Sequence, residues 1–302
     1  MSTESRIKSA LDRIERHQRV RRALTILAVF VVLAVTVWGL THIGFTIAEL
    51  WRQRNAFIDS LYGFTHPAFG DLPRIAQASI VTIIVGFTGT VIGFPLALLF
   101  GVLGSERVTP FPFNFLFRGT MSTIRAVPAL VWILIYVPLA GITPVSAVLA
   151  VATDTVGNLG RLFTDELEEI DEGPIEAIRS TGASEPQTVV FGMLSQVFTS
   201  FIAWTLYILE INVRIAISLG VVGAGGIGRY IQSNIGLLQF QEAAAGIIMV
   251  IAIVLSVELV SSRLRSRLRP SENEEGGRGI VDAIKSLFDA DKWAGSGGGG
   301  SK

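Results

Sequence analysis

Long apolar runs alternate with short polar segments along most of the chain. A helix needs about 20 apolar residues to cross about 30 Å of hydrocarbon. Five runs approach or exceed that length, and they cover Ala23–Leu40, Ser79–Leu103, Thr143–Phe163, Thr188–Leu209 and Ala243–Val260. A sixth run, third along the chain, is shorter and covers Val127–Leu139. The pattern therefore predicts an all-α membrane protein, a polytopic helical bundle of about six transmembrane helices.

The first run has a second interpretation, because basic residues before an apolar stretch are also typical of a secretory signal. The run is long for a signal core, and no A-x-A-like cleavage site follows it. An uncleaved membrane anchor at 23–40 is therefore favoured over a signal peptide.

The second and fourth runs contain residues that are unusual in lipid. Gly89 and Gly93 form a G-x-x-x-G pair, which allows two helix backbones to approach closely. The fourth run is interrupted by Asp154, Asn158 and Arg161. Polar groups at membrane depth are costly and are candidates for function.

Orientation follows from the arginines and lysines near the ends of the runs. Residues 1–22 and the chain after the last run are both basic, so both ends are expected on the cytoplasmic side. The segments 41–78 and 210–242 then fall outside, although Arg52, Arg54 and Arg74 weaken the pattern in the first of them. The resulting organisation is a basic cytoplasmic segment 1–22, a first transmembrane helix 23–40, an extracytoplasmic segment 41–78, a membrane core 79–262 and a cytoplasmic tail 263–294.

The composition changes after Pro270. Ser271–Gly279 is polar and reads as a linker. Apolar residues then recur at helical spacing and predict a short amphipathic helix that rests on the membrane or on a partner, with Ile280, Val281, Ile284, Leu287 and Phe288 on one face. Gly295–Lys302 is a glycine-serine run of the kind used as an engineered linker, so residues 295–302 are excluded from the interpretation.

Charge and composition exclude several classes of function. The 25 basic and 25 acidic residues balance, so no overall basic field attracts nucleic acid. The chain has no cysteine and only three scattered histidines, which argues against a metal site and against an intramembrane enzyme with a thiol or histidine in its centre. No phosphate-binding loop of the form G-x-x-x-x-G-K-[ST] is present, so the sequence shows no ATP-binding site of that kind.

The cytoplasmic segment 164–187, between the fourth and fifth runs, is more ordered in its pattern than a simple connection. Pro174 suits the first position of a helix, Glu176 suits its first turn, and Gly182 suits its end. The segment therefore predicts a helix over about Pro174–Thr181, followed by a sharp turn. By local physics alone, this helix is equally a docking element for a partner or a solvated loop.

The same segment resembles the EAA loop of the permeases of ATP-binding-cassette (ABC) importers. In that family a glutamate-alanine-alanine triplet is followed by three residues and a glycine, and Glu176, Ala177 and Gly182 match this pattern. Two positions depart from it, since Ile178 replaces the second alanine and Ser195 stands where a proline is usual. The resemblance implies a coupling helix that inserts into the ATPase subunit and places ATPase coupling at Pro174, Glu176, Ala177, Arg179, Gly182 and Ala183.

The resemblance covers about residues 75–269 and is closest to the phosphonate-transporter permeases. Three stretches carry it: R-A-V-P from Arg125, D-T-V-G-N-L-G-R-L-F-T-D-E from Asp154, and E-I-N-V-R-I-A-I-S-L-G-V-V-G-A-G-G-I-G from Glu210. The last stretch is the most specific, because it joins a charged helix start to a glycine cluster. Methionine permeases share the glycine cluster and the EAA loop, so the substrate stays open.

What the resemblance implies is a membrane subunit without its own ATP-binding site or cofactor. It implies a second permease copy in a homodimer, two ATPase subunits that bind ATP and Mg²⁺, and an extracytoplasmic substrate-binding protein. Its expected location is the bacterial inner membrane, in contact with lipid, and its expected substrate is a phosphonate or a phosphite-like oxyanion carried by alternating access. A related permease for another solute such as methionine is the alternative.

Several polar and glycine residues are further site candidates. The candidates for the translocation path are Asp154, Asn158, Arg161, Glu210, Asn212 and Arg214. Interhelical contacts alone also explain these residues, with Glu210 and Arg214 spaced to pair along a helix. Arg161 and Arg214 are candidates to attract an anionic substrate.

The glycine cluster of Gly223, Gly225, Gly226 and Gly228 contains the pattern G-x-G-x-x-G, which is typical of dinucleotide-binding loops. That function requires a strand before the loop and a βαβ unit around it. A tight turn with close helix packing near the outer mouth of the pathway is therefore favoured. An ion-coupled secondary transporter is disfavoured, because no internal repeat is evident.

Overall fold

The computed structural model describes residues 3–44 and 47–268, in two compact units that meet in sequence at Tyr62 and Gly63. The first unit contains α1 (Thr3–His42), α2 (Ile47–Arg52) and most of α3 (Arg54–Thr65). Helix α1 joins the predicted basic segment and the predicted first span without a break. The predicted amphipathic helix in the tail and the glycine-serine run lie outside the described residues.

The second unit contains the remaining helices, and no strand occurs in the part of the chain that the structure describes. In chain order the helices are α4 (Leu72–Gly104), α5 (Phe113–Ala126), α6 (Ala129–Ala140), α7 (Pro144–Glu168), α8 (Glu172–Ser180), α9 (Glu185–Gln187), α10 (Ser195–Leu219), α11 (Gly226–Gly236) and α12 (Phe240–Leu268). π-helical turns at Thr188–Leu194 and Gly220–Ala224 continue α9 into α10 and extend α10 beyond its end.

Within residues 3–44 and 47–268, four helical segments can cross a membrane by length and composition, and up to five if the bent pair α5–α6 counts as one span. The four are Arg21–His42, Leu72–Gly104, Glu185–Ala224 and Phe240–Arg267. The predicted fourth span corresponds to α7, which is continuous over 25 residues but carries several charged residues. Helix α7 lies inside the second unit, where Val151, Leu159 and Phe163 are fully buried.

Several helix boundaries differ from the sequence prediction. Helix α4 begins at Leu72, seven residues before the predicted span at Ser79, because Ile75 is already buried against the rest of the unit. Helix α10 continues past the predicted end at Leu209, so the predicted outer segment 210–242 begins inside a helix. The apolar run ends at Glu210, but the helix continues because the side chain of Glu210 is buried and forms an ion pair with Arg214.

The predicted third span is split into two helices. Helices α5 and α6 meet at an angle of 93°. Val127 at the junction is extended, with φ −101° and ψ 116°. The residue before a proline is disfavoured in α-helical geometry, and Pro128 follows directly. Helix α6 alone has 12 residues, too few to cross a bilayer.

The core of the second unit is built on close contact between α4 and α7. A Cβ atom at Gly89 would lie 2.5 Å from Val151 Cγ1, and one at Gly93 would lie 2.6 Å from the Ala152 carbonyl oxygen. The predicted close approach at the G-x-x-x-G pair is therefore confirmed. We call this contact between α4 and α7 the seam. Farther along it, Thr164 Oγ1 donates to the Gly101 carbonyl oxygen at 2.9 Å. Glycine is required here because two backbones occupy the space of a side chain.

Candidate functional site

The predicted helix in segment 164–187 is α8, and it begins two residues earlier than expected. Pro174 occupies its third position, not its first, and Glu172 is the acidic residue in its first turn, not Glu176. The first N–H groups of a helix have no intrahelical partner, so proline is tolerated there. Gly182 has φ +80°, which confirms the predicted left-handed end.

One face of α8 packs on the protein and the other is open. Ile175 is 4% exposed and lies in a cluster with Leu167 and Met193. Glu176 and Ala177 are exposed. The helix is thus held by an apolar contact on one side and presents charged and small side chains on the other.

The end of α8 is stabilised by local hydrogen bonds. The N–H groups of Thr181 and Gly182 donate to the carbonyl oxygens of Ile178 and Arg179 at 3.1 and 3.0 Å. Arg179 Nη2 lies 3.3 Å from Glu185 Oε2, in a pair that is exposed. The coupling residues predicted from sequence therefore lie in one short segment, where those up to Gly182 are exposed and Ala183, directly after the turn, is half-buried.

The three polar residues predicted on one face of α7 belong to two pairs, the second of which includes Asp165, a residue that the sequence did not single out. Asn158 Nδ2 donates to Asp154 Oδ2 at 2.9 Å, and Asp154 is buried. Arg161 turns the other way and pairs with Asp165, with 2.8 Å between Nη2 and Oδ1. Arg161 is half-buried, and the carboxylate of Asp165 on the same helix partly neutralises its guanidinium.

The predicted pairing of Glu210 and Arg214 is confirmed, and the sequence did not reveal the two partners on α12. Glu210 Oε1 accepts from Arg214 Nη2. Glu210 Oε2 also lies 3.5 Å from Arg265 Nη2, and Arg214 Nη2 lies 3.9 Å from Glu258 Oε2. Two carboxylates and two guanidiniums thus form one neutral network between α10 and α12.

Asn212 ties three helices together. Its side-chain amide nitrogen donates to Thr90 Oγ1 on α4 and to Thr155 Oγ1 on α7, each at 2.8 Å. Both threonine hydroxyls donate to carbonyl oxygens of their own helices, Gly86 and Val151, so each has lone pairs left to accept from the amide. Asn212 is fully buried, and its geometry is that of an interhelical contact.

The glycine cluster forms a tight turn between α10 and α11. Gly223, Gly225 and Gly226 have φ angles of 102°, 103° and 72°, which non-glycine residues adopt only with strain. Thr82 Oγ1 on α4 accepts from the Ile227 N–H at 2.9 Å and fixes the turn to the bundle. A Cβ atom at Gly228 would collide with the Ile217 carbonyl oxygen. Helices flank the cluster on both sides, which excludes the dinucleotide-binding interpretation.

Comparison with known families identifies the class of this bundle. Residues 89–272 match the family described as the binding-protein-dependent transport system inner membrane component. The chain belongs to this family. It is accordingly a multi-pass component of the inner membrane and part of a transport system.

Relatives with curated names share this assignment. The phosphate-import permease protein PhnE of Mycolicibacterium smegmatis is 35% identical over 63% of this chain, and the match spans 36% of that protein. The putative phosphite transport system permease protein HtxC of Stutzerimonas stutzeri is 30% identical over 80% of this chain and 88% of its own length. The phosphite permease PtxC of the same organism is 29% identical over the same shares.

Solved structures support the fold. The methionine ABC transporter MetNI in an inward-facing conformation superposes with a TM-score of 0.56 at 20% identity, over 65% of this chain and 95% of its own. An amino acid ABC transporter with histidines gives a TM-score of 0.56 at 17% identity, over 66% and 94% of the two chains. At these identities the likeness concerns the fold alone.

Proposed function

We propose that the chain is the permease subunit of an ABC importer that carries a phosphonate or a phosphite-like oxyanion by alternating access. The substrate class is supported by sequence identity to permeases named for phosphate and phosphite. The identity is 29–35% over 63–80% of this chain. Permeases named for carnitine and D-methionine reach 24%. Another small solute is therefore the less supported alternative.

The proposed assembly contains two copies of this chain, two ATPase subunits and an extracytoplasmic binding protein. ATP and Mg²⁺ are bound by the ATPase subunits, and this chain performs no catalysis itself. Both termini lie in the cytoplasm in this proposal. The basic residues of 1–22 and the arginines after Val260 support that orientation.

Helix α8 is the proposed docking element for the ATPase. Its apolar side is anchored through Ile175, while Glu176 and Ala177 face outward. A short helix that is fixed to the bundle on one side transmits displacement better than a free loop does. The proposed topology places α8 on the cytoplasmic side, where ATP is available.

The proposed transport activity is tested in proteoliposomes that contain the permease, its ATPase and its binding protein. ATP hydrolysis is recorded against phosphonates, phosphite, phosphate and methionine. Stimulation by a phosphonate or phosphite supports the proposed substrate class, whereas stimulation by methionine alone overturns it. An intact complex without any stimulation by the loaded binding protein overturns the importer assignment.

The proposed docking role is tested with Glu176→Ala and Gly182→Pro. We expect both variants to fold, to lose co-purifying ATPase and to lose most ATP-driven uptake. Glu242→Ala, at the beginning of α12, is the matched control and keeps the ATPase bound. Normal uptake by both α8 variants contradicts docking at this helix.

A further inference from the structure

Two arginines hold the junction between α7 and α8: Arg107 lies in the loop between α4 and α5, and Arg118 lies on α5. Arg118 on α5 donates from Nε to the Gly104 carbonyl oxygen at 2.8 Å, and its Nη2 forms an ion pair with Glu168. Glu168 is the last residue of α7. The backbone N–H of Glu106 donates to the same carboxylate at 3.4 Å. The end of α4 and the end of α7 are thus joined through one guanidinium.

Arg107 spans the junction between α7 and α8. Its Nη2 donates to the Glu168 carbonyl oxygen at 2.9 Å, and its Nη1 lies 3.7 Å from Glu172 Oε1. Glu172 is the first residue of α8. One side chain therefore contacts the last residue of one helix and the first residue of the next.

The two arginines are more buried than their exposed partners Glu172 and Glu106, which are 76% and 69% exposed. The side chains of Arg107 and Arg118 are 27% and 23% exposed, and each combines an ion pair with a hydrogen bond to a backbone carbonyl. A planar guanidinium offers several donors in fixed directions, which lysine does not. The geometry of the junction therefore depends on arginine and not only on positive charge.

An apolar contact holds α8 from another direction. Ile170 in the connection and Ile175 on α8 belong to the same buried cluster as Leu167 on α7. Met193 in the π-helical turn completes this contact. The polar and apolar contacts together leave little freedom for α8 to pivot on the end of α7.

We propose that Arg107 and Arg118 are positioning residues that form a lock at this junction, so that displacement of α8 by the ATPase is passed to the membrane core. Arg118 fixes the end of α7 to the end of α4, and Arg107 links α8 to that fixed end. The inference rests on the proposed function, because it needs α8 to be the docking element. Without the lock, the connection 169–171 acts as a hinge and absorbs the movement. Helix α7 is the receiver of the movement because Arg107 links the first residue of α8 to its last residue, Glu168, whose carboxylate Arg118 holds.

The test uses Arg107→Gln and Arg118→Gln in the complete reconstituted complex, with uptake of phosphite and ATP hydrolysis measured together. We expect the ATPase to co-purify normally and hydrolysis to continue. Uptake per ATP should fall by about fivefold or more, the lower end of typical coupling between sites. Arg118→Lys should restore only part of the ratio, because an ammonium does not reach Gly104 and Glu168 together.

The matched control is Arg74→Gln. Arg74 lies near the beginning of α4, the helix whose end Arg118 contacts, and its pair with Asp71 at 3.9 Å is exposed. This variant should keep the normal ratio of uptake to hydrolysis. A normal ratio in both junction variants overturns the proposal, and so does a loss of ATPase binding or of thermal stability that accounts for the defect.

The docking variants separate this proposal from the one on which it rests. If Glu176→Ala and Gly182→Pro transport normally, docking at α8 fails and the lock fails with it. If only the arginine variants transport normally, docking stands and the lock alone is overturned. If the docking variants lose the ATPase while the arginine variants keep it but waste ATP, both proposals are supported.

Discussion

Helix α7 is held by small residues along its middle and by charged residues at its end. In the middle, Gly89 and Gly93 of α4 bring the two backbones into direct contact. At the end, Arg107 and Arg118 hold Glu168. Lipid provides no hydrophobic drive for helix association, so close van der Waals packing takes its place. At the polar end, charge-assisted contacts are available at lower desolvation cost.

The two regions also differ in how they tolerate movement. The seam between α4 and α7 has no room for an added methyl group, so the two helices must move together. The junction with α8 combines an apolar contact with a few directional polar contacts, and a single substitution removes one of the polar contacts. We therefore expect seam variants to lose stability and junction variants to lose coupling.

The largest expected effect is at the seam. Gly93→Ala places a methyl group against the Ala152 carbonyl oxygen and Thr155. We expect the free energy of unfolding, measured by SDS titration in mixed micelles, to fall by about 3 kcal/mol.

Gly119→Ala on α5 is the matched control, because a Cβ atom there meets nothing within 4 Å. It should be neutral or stabilise the helix by up to about 1 kcal/mol. Equal behaviour of the two variants contradicts close packing as the basis of the seam.

The network between α10 and α12 should give a smaller loss. Glu210→Gln removes the carboxylate that faces both Arg214 and Arg265, while Arg214 keeps Glu258. We expect a destabilisation of about 2 kcal/mol in the same titration, as for hydrogen bonds to a charged group. Glu258→Gln, at the longest contact of the network, should cost less, and the reverse order would show that Glu210 is not its centre.

The hydrogen bonds from Asn212 on α10 to α4 and α7 should contribute less stability than the network between α10 and α12. Asn212→Leu removes both interhelical hydrogen bonds, but Thr90 and Thr155 keep their bonds to their own helices. We expect a loss of about 1 kcal/mol. Transport that stops in a variant of normal stability would instead support a role for Asn212 in the translocation path.

The smallest effect is expected at the exposed end of α8. Arg179→Gln breaks an exposed ion pair with Glu185, and such pairs contribute at most about 1 kcal/mol. We expect no measurable change in unfolding at moderate salt. A clear loss of uptake without a loss of stability would assign Arg179 to the contact with the ATPase.

Much of the site was predictable because its signals are local. Gly182 at the end of α8 and the pairing of Glu210 with Arg214 depend only on residues within one turn of a helix. The predicted start of α8 at Pro174 was wrong by two residues, because several positions near the start of a helix accept proline. Arg107 and Arg118 were visible in the sequence only as basic residues near span ends.

The sequence by itself determined the class of fold, the principal apolar helices and the short helix α8, because hydropathy and helix-end preferences act over a few residues. Tertiary structure decided which residues meet across helices. Asn212 contacts Thr90, 122 positions away, and Glu168 contacts Arg118 from another helix. Tertiary contacts also decided where α4 begins and where α10 ends, since burial of Ile75 and pairing of Glu210 outweigh local hydropathy. Such contacts depend on the packing of whole helices, which local patterns do not encode.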